Sequence, residues 1–86
     1  AVISQHPDVV DVAVVGLADP DLGRKVHAVI EVINPDAPPE ISAITKLCED
    51  HLVRYKVPRG VEFVGQLPRN DAGKIRRIAL REAREN

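Results

Sequence analysis

Gly73-Lys74 closes the run Leu67-Pro68-Arg69-Asn70-Asp71-Ala72 and opens Ile75-Arg76-Arg77, and it is where this sequence is best equipped for chemistry. Pro68, Asn70, Asp71 and Gly73 form turns for separate physical reasons, so a tight loop is expected there. Glycine takes positive φ and has no Cβ to hold a ligand away from the backbone. The lysine after it would stand at the rim of the domain with its ammonium directed outward. A solvated lysine in a hairpin turn fits the same residues, because charged side chains mostly lie on the surface. A second candidate is Val53-Arg54-Tyr55-Lys56-Val57-Pro58-Arg59. Tyr55 offers an apolar face, while Lys56 and Arg59 offer charge. These are the parts of a shelf for a phosphorylated nucleotide, and equally of a surface connector.

Other chemistries lack their residues. Isoleucine follows Gly73-Lys74, so the magnesium-binding hydroxyl of a phosphate loop is missing. No Ser/His/Asp or Cys/His set has an evident mechanism. Cys48 is alone, and His6, His27 and His51 have no partners at metal-ligand spacing, so neither a disulfide nor a metal site is expected. Cys48 reads as a small core residue. His51 reads as a cap on a helix end, where its positive form would meet the dipole favourably.

With 86 residues at 44% hydrophobic and 29% charged, one thin-cored globular domain is expected. No apolar run approaches the ~20 residues of a membrane span, and the N-terminus lacks a signal-peptide layout. A reduced, cytoplasmic setting is expected. A formal charge of -1 gives no overall attraction to nucleic acid. The charge is uneven, however. Arg69, Lys74, Arg76, Arg77, Arg81 and Arg84 are half of the 12 basic residues and all lie in residues 66–86. The chain opens without methionine on what reads as the last turns of a helix stopped by Pro7, so it is expected to be a piece of something longer.

Positioning these residues falls to a small α+β fold. Val9 to Leu17 is rich in β-branched residues and predicts a strand buried on most of both faces. Ala18-Asp19-Pro20-Asp21-Leu22-Gly23 is loop chemistry, too short for a helical crossover, so the next strand should pair antiparallel. That strand, Lys25 to Ile33, turns Val26, Ala28, Ile30 and Val32 one way and Lys25, His27, Val29 and Glu31 the other. After a proline-rich connector, Ile41 to about Leu52 predicts a helix with Ile41, Ile44, Leu47, Cys48 and Leu52 on one face. Gly60 to Val64 is a third strand, and about Arg76 to Arg84 a second helix with Ile75, Ile78 and Ala79 inward. The expectation is a three-stranded sheet packed with helices, plus a hairpin loop carrying the lysine.

Four segments together resemble the C-terminal domain of adenylate-forming enzymes, which include acyl-CoA synthetases, peptide-synthetase adenylation domains and luciferases. His6-Pro7 through Gly16 to Gly23 resembles H-P-x-V-x-x-A-x-V-x-G-x-P-D-x-x-x-G. Tyr55-Lys56-Val57-Pro58 resembles Y-K-x-P, and Phe63-Val64 with Leu67-Pro68-Arg69 resembles F-V-x-x-L-P-[KR]. Gly73-Lys74-Ile75, Arg77, Leu80 and Arg81 resemble G-K-[IVL]-x-R-x-x-L-R. The resemblance implies a mobile lid, residues 1–86, over a larger N-terminal domain that is absent here. It implies that Lys74 is the catalytic lysine of acyl-adenylate formation and that Gly73 and Lys74 meet ATP or the adenylate. It further implies that Tyr55, Lys56, Arg59 and Gly16 lie near CoA in a second, thiol-transfer state. The co-substrates are then ATP with magnesium, held mainly by the absent domain, CoA, and a small carboxylic acid. The fragment alone would be inactive. Asn70 and Ala72 stand where the family usually has Thr and Ser, Ala18 where it has Pro, and Arg24 where it has Glu. Two other readings stand beside this one. One is the lid of a peptide-synthetase adenylation domain serving a carrier protein, although the tyrosine-methionine-x-proline loop of that branch is missing. The other is an independent module using its basic end for nucleic acid or another anion, a reading that two aromatics and a net negative charge disfavour.

Overall fold

A computed structural model describes residues 2–21, 23–51 and 57–85. After a single 3-10 turn at Val2–Gln5, the elements run β1 (Val9–Asp19), β2 (Gly23–Val32), α1 (Ile41–His51), β3 (Gly60–Val64) and α2 (Arg77–Glu85). The sheet has the order β1-β2-β3. β1 and β2 pair antiparallel, as expected, whereas β3 joins β2 in parallel. A parallel partner needs a long crossover, and α1 is that crossover.

The sheet is covered on both faces, so β1 and β2 bury side chains of both parities. One face packs Val9, Val12, Ala28, Ile30 and Val32 against Ile3, Ile44 and Cys48. The other packs Ala13, Val15, Leu17 and Val29 against Leu67 and Leu80, which come from the segment after β3. The alternation expected for β2 is observed, with Ala28, Ile30 and Val32 on the first face and Val29 on the second. Cys48 is buried, and burial pushes its thiol pKa up, as for an inert core cysteine. His51 Nδ1 lies 3.0 Å from the Leu47 carbonyl, so it does sit on the helix end.

Several boundaries and faces differ from the sequence expectation. β1 runs past the expected Leu17 to Asp19, so Ala18 and Asp19 are strand residues opposite Arg24 and Gly23 and not part of a loop, while Gly16 lies in the strand as expected, opposite Val26. The register shifts between Val9 and Asp11, a bulge that leaves Val10 54% exposed. β2 starts earlier, at Gly23, whose φ of 77° suits the tight turn after Pro20 and Asp21. On α1, Ile44 and Cys48 are buried but Ile41 is exposed, and Leu52 lies outside the described residues.

The clearest correction concerns α2. Leu80 is 4% exposed and Ile78 is 64% exposed, the reverse of the expected phase. Ile75 lies before the helix, bridged to Arg69, and therefore does not set the helix's rotation. Leu80 and Arg84 do, being four residues apart and facing the sheet together. Ile78 is two residues, about 200°, away from Leu80.

Three acids on the second sheet face meet two arginines of the covering segment. Arg84 donates from Nε and, at 2.7 Å, from NH2 to the two oxygens of Glu62, a bidentate pair. His27 Nε2 lies 2.8 Å from the same Glu62. A Cβ at Gly60 would collide with His27 Nδ1, which explains glycine at the start of β3. In the adjacent row of the face, Glu31 accepts the Leu67 N–H at 3.0 Å, and Arg69 reaches Asp11 at 2.6 Å. A helix of nine residues is marginal alone. Leu80 and Arg84 attach it to the sheet.

The Glu62 cluster has a pH signature. Hydrogen bonding from Arg84 is the main cause that lowers the Glu62 pKa from 4.5 to about 2, with His27 adding to it and burial opposing it. A depressed carboxyl stabilises the fold fully above its unfolded value, and that contribution is lost as pH falls from about 4.5 towards about 2. Urea unfolding at a series of pH values should therefore show Glu62→Gln less stable than wild type at pH 6. The gap should shrink steadily below pH 4.5.

Candidate functional site

The lysine's turn is built by its own sequence. The Asn70 carbonyl accepts the Gly73 N–H at 2.9 Å, and the Asn70 N–H donates to the Lys74 carbonyl at 2.9 Å. Gly73 has φ of 81°. This is a three-residue hairpin loop, a turn followed by a left-handed residue, and glycine is the residue that adopts it without strain. Arg69 and Ile75 bridge across its base, and the Arg76 N–H reaches the Pro68 carbonyl at 2.9 Å. Asn70 Oδ1 also accepts the N–H of Ala72 at 2.9 Å and of Lys74 at 3.0 Å. Asparagine here does what turn-forming side chains do, bonding the backbone ahead of it.

Lys74 is exposed, and no hydrogen bond or ion pair holds its ammonium among the described residues. α2 starts three residues later with no acid in its first turn, so the positive end of its dipole adds to Arg76 and Arg77. An open groove of about 580 Å³ runs beside the turn, with Asn70, Arg76, Arg77 and Ile78 among its lining residues. Arg76, Arg77 and the helix start put positive charge beside the Lys74 ammonium, with Glu82 the one acid lining the groove, a donor set suited to a phosphate or carboxylate.

The turn is tied to β1. Arg69 donates through NH1 to the Gly73 carbonyl at 3.0 Å and through NH2 to Asp11 Oδ2 at 2.6 Å, with Glu31 3.9 Å away. Asp11 Oδ1 accepts the Val12 N–H at 2.8 Å. The Arg69 hydrogen bond is the first cause holding the Asp11 carboxyl below its ordinary pKa. The Val12 N–H and the charges of Arg69 and Arg77 act the same way, and burial acts against them. Asp11 in turn raises the Arg69 pKa.

The other candidates lie elsewhere. Gly16 pairs with Val26 across the sheet, and the Val26 carbonyl accepts the Arg59 N–H at 2.9 Å, so Gly16 and Arg59 share one row. The Arg59 side chain is exposed. Arg24 NH1 reaches the Gly16 carbonyl at 3.2 Å and lies 3.6 Å from Glu85, whose Oε1 also accepts the Ala18 N–H at 3.3 Å. Arg24 thus supports the row containing Gly16. Gly16 also lines a smaller cavity of about 190 Å³ with Val14, Arg77 and Arg81. Tyr55 and Lys56 lie outside the described residues. The Lys74 turn is anchored on the Asp11–Glu31 row and Gly16 is five residues further along β1, about 17 Å away along the strand. The structure thus puts Gly16 and Arg59 on a different row of the sheet from Asp11, which anchors the turn of Gly73 and Lys74, while Arg77 and Ile78 line both the groove beside the turn and the cavity at Gly16. Sequence reading named Asn70 among the turn formers but did not single out Asp11 or Arg69 as residues that fix the turn. The partnership of Asp11 and Arg69 spans 58 residues and left no local signal.

Residues 1–74 match the sequence profile of the AMP-binding enzyme C-terminal domain, and the chain belongs to that family. A medium/long-chain-fatty-acid–CoA/3-oxocholest-4-en-26-oate–CoA ligase of Mycobacterium tuberculosis (strain ATCC 25618 / H37Rv) is 38% identical over 74 residues, which is 86% of this chain and 13% of that protein. A 2-succinylbenzoate–CoA ligase of Bacillus mycoides (strain KBAB4) is 41% identical over 81 residues, 94% of this chain and 16% of that one. Among solved structures, a fatty acyl CoA synthetase of Mycobacterium tuberculosis superposes with a TM-score of 0.85 at 36% identity, covering 95% of this chain and 16% of that one. The amide bond synthetase McbA from Marinactinospora thermotolerans gives 0.87 at 40% identity, covering 99% and 17%. The chain thus spans about 13–17% of the length of these relatives. Its α+β fold is that of acyl-CoA synthetase C-terminal domains. Among the described residues no helix is long and apolar enough to cross a membrane.

The turn's dependence on Asn70 is testable by exchange. Asn70→Ala frees two backbone N–H groups, and amide hydrogen exchange at Ala72 and Lys74 should accelerate about 5–30-fold, the equivalent of one lost turn bond of roughly 1–2 kcal/mol. Asn70→Asp keeps the acceptor and should hold both amides near their wild-type rates.

Proposed function

We propose that this chain is the mobile lid of an ATP-dependent acid–thiol ligase and that Lys74 acts in the first of its two half-reactions. The observation that carries the reading is an unpaired ammonium on a backbone-fixed glycine turn, next to a helix start with no neutralising acid. In the first half-reaction a carboxylate oxygen attacks the α-phosphorus of ATP, the bond to the β-phosphate bridging oxygen breaks, and pyrophosphate leaves. Lys74 would stand between the two anions as they approach, reduce their repulsion and stabilise charge developing on the α-phosphate oxygens. ATP and magnesium are held mainly by an N-terminal domain of the same protein, which also shapes the acid's pocket. The fragment alone is therefore inactive.

In the second half-reaction the CoA sulfur attacks the acyl carbonyl and AMP leaves. We assign Gly16 and Arg59, with Tyr55 and Lys56, to that step, and the separate sheet row of Gly16 and Arg59 supports a lid that turns to present a different face. CoA is the favoured acceptor because the curated relatives quoted above are CoA ligases. The likeness to an amide bond synthetase makes an amine the competing acceptor. The free, buried Cys48 fits a reducing compartment.

In the full-length enzyme, Lys74→Ala should lower ATP–pyrophosphate exchange by at least 10²–10³-fold, the effect of removing one preorganised donor worth ~2.7–4 kcal/mol. Thiol transfer from a supplied acyl-adenylate should stay within about threefold of wild type. Equal loss of both steps would refute the assignment. Arg59→Ala should raise the KM for CoA roughly tenfold, the loss of about one charge-assisted contact, with exchange unchanged. An unchanged KM would remove Arg59 from the acceptor site, and faster turnover with amines than with CoA would favour the amide-forming reading.

A further inference from the structure

We propose that Arg69, braced by Asp11, is a positioning residue for Lys74, a role that rests on the adenylation assignment above and adds to it. The peptide unit joining Gly73 to Lys74 is held at both of its polar ends. Its carbonyl accepts from Arg69 NH1 at 3.0 Å, and its N–H donates to Asn70 Oδ1 at 3.0 Å. A peptide unit is planar, so holding both ends fixes its tilt and with it the direction in which the Lys74 side chain leaves the backbone. The Asn70 bond is local to the turn. The Arg69 bond is not, because its other guanidinium nitrogen donates to Asp11 Oδ2 at 2.6 Å, and Asp11 Oδ1 is itself fixed by the Val12 N–H at 2.8 Å. An unbroken chain of hydrogen bonds therefore runs from the backbone of β1 to the residue preceding the lysine.

The geometry calls for arginine. The two acceptors belong to different segments, and a rigid fork reaches both at once, whereas a lysine ammonium on a flexible stem holds one position. Glu31 stands 3.9 Å from the guanidinium, so Asp11 is its nearer carboxylate. A hairpin tip with no such tie would swing about its base, and a displacement near 1 Å at a reacting centre costs on the order of 10²-fold in rate. The consequence falls on adenylation alone, because Gly16 and Arg59 lie on another row of the sheet and their bonds do not pass through Arg69.

The test uses the full-length enzyme and reads both half-reactions. Arg69→Ala should lower kcat for ATP–pyrophosphate exchange about 10–100-fold, with the KM for ATP and the rate of thiol transfer from supplied acyl-adenylate within about twofold of wild type. Asp11→Asn, which preserves shape, should shift exchange in the same direction by a smaller factor. Arg69→Lys should fall between wild type and Arg69→Ala. Combined with Lys74→Ala, Arg69→Ala should add no further loss, because a residue that acts only by aiming the lysine has no effect once the lysine is gone. Loss of both half-reactions in parallel, or the same factor with and without Lys74, would overturn the proposal by marking Arg69 as structural. Wild-type exchange in Arg69→Ala, alongside collapse in Lys74→Ala, would overturn it while leaving the lysine's assignment intact. Full exchange in Lys74→Ala would instead remove the assignment itself.

Discussion

The covering of the second sheet face by residues 67–85 is the constraint on which the site depends. That face has an apolar middle of Ala13, Val15, Leu17 and Val29 and acids at its margins: Asp11 and Glu31 in the row before Ala13 and Val29, and Glu62 on β3 in the row of Ala13 and Val29, beside His27. Leu67 and Leu80 cover the middle, and Arg69 and Arg84 meet the acids. Burying a leucine contributes about 1.5–3 kcal/mol, whereas a half-exposed ion pair contributes about 0–1 kcal/mol. The leucines therefore hold the segment down and the arginines set where along the sheet it lies. Neither group would suffice alone. Apolar contact is non-directional, and an ion pair without apolar burial is weak.

Between those anchors the chain has to leave the sheet and return, and the Lys74 turn is the excursion. Its conformation is local, set by Gly73 and Asn70, but its placement is inherited from Leu67 and Arg69 on one side and from Ile75 and Leu80 on the other. The lysine combines a fixed backbone with a free side chain. Rigidity of the backbone limits the entropy an anion would cost on binding, and freedom of the side chain leaves the charge unspent on internal partners. The same segment supplies the arginines of α2, so positive charge gathers at one end of a chain whose formal total is -1.

The sheet also sets two candidate surfaces apart. Gly16 and Arg59 are linked through Val26, while the lysine turn hangs from Asp11. A stiff strand of 11 residues joins the two rows. The two rows therefore keep a fixed relation to each other within one sheet. Arg24 bonds the Gly16 carbonyl and pairs with Glu85 of α2, which ties this row of the sheet to the helix.

By itself the sequence determined what depends on near neighbours. β-branched runs specified β1 and β2, two-residue alternation assigned the faces of β2, and turn chemistry located the Gly73 hairpin. The helical stripe placed Cys48 in the core and His51 on the end of α1. Four motifs in order carried the family. The tertiary structure alone decided the bulge at Val10, the extension of β1 from Leu17 to Asp19, and the rotation of α2 that buries Leu80 and exposes Ile78. It also decided which acids the arginines meet, across 58 residues for Asp11 with Arg69 and 22 for Glu62 with Arg84. The physical reason is that periodicity gives a face but not its partner. On α2 both Ile78 and Leu80 satisfied an apolar stripe, and the choice fell to whichever rotation let Leu80 fill the sheet's apolar middle while Arg84 reached Glu62.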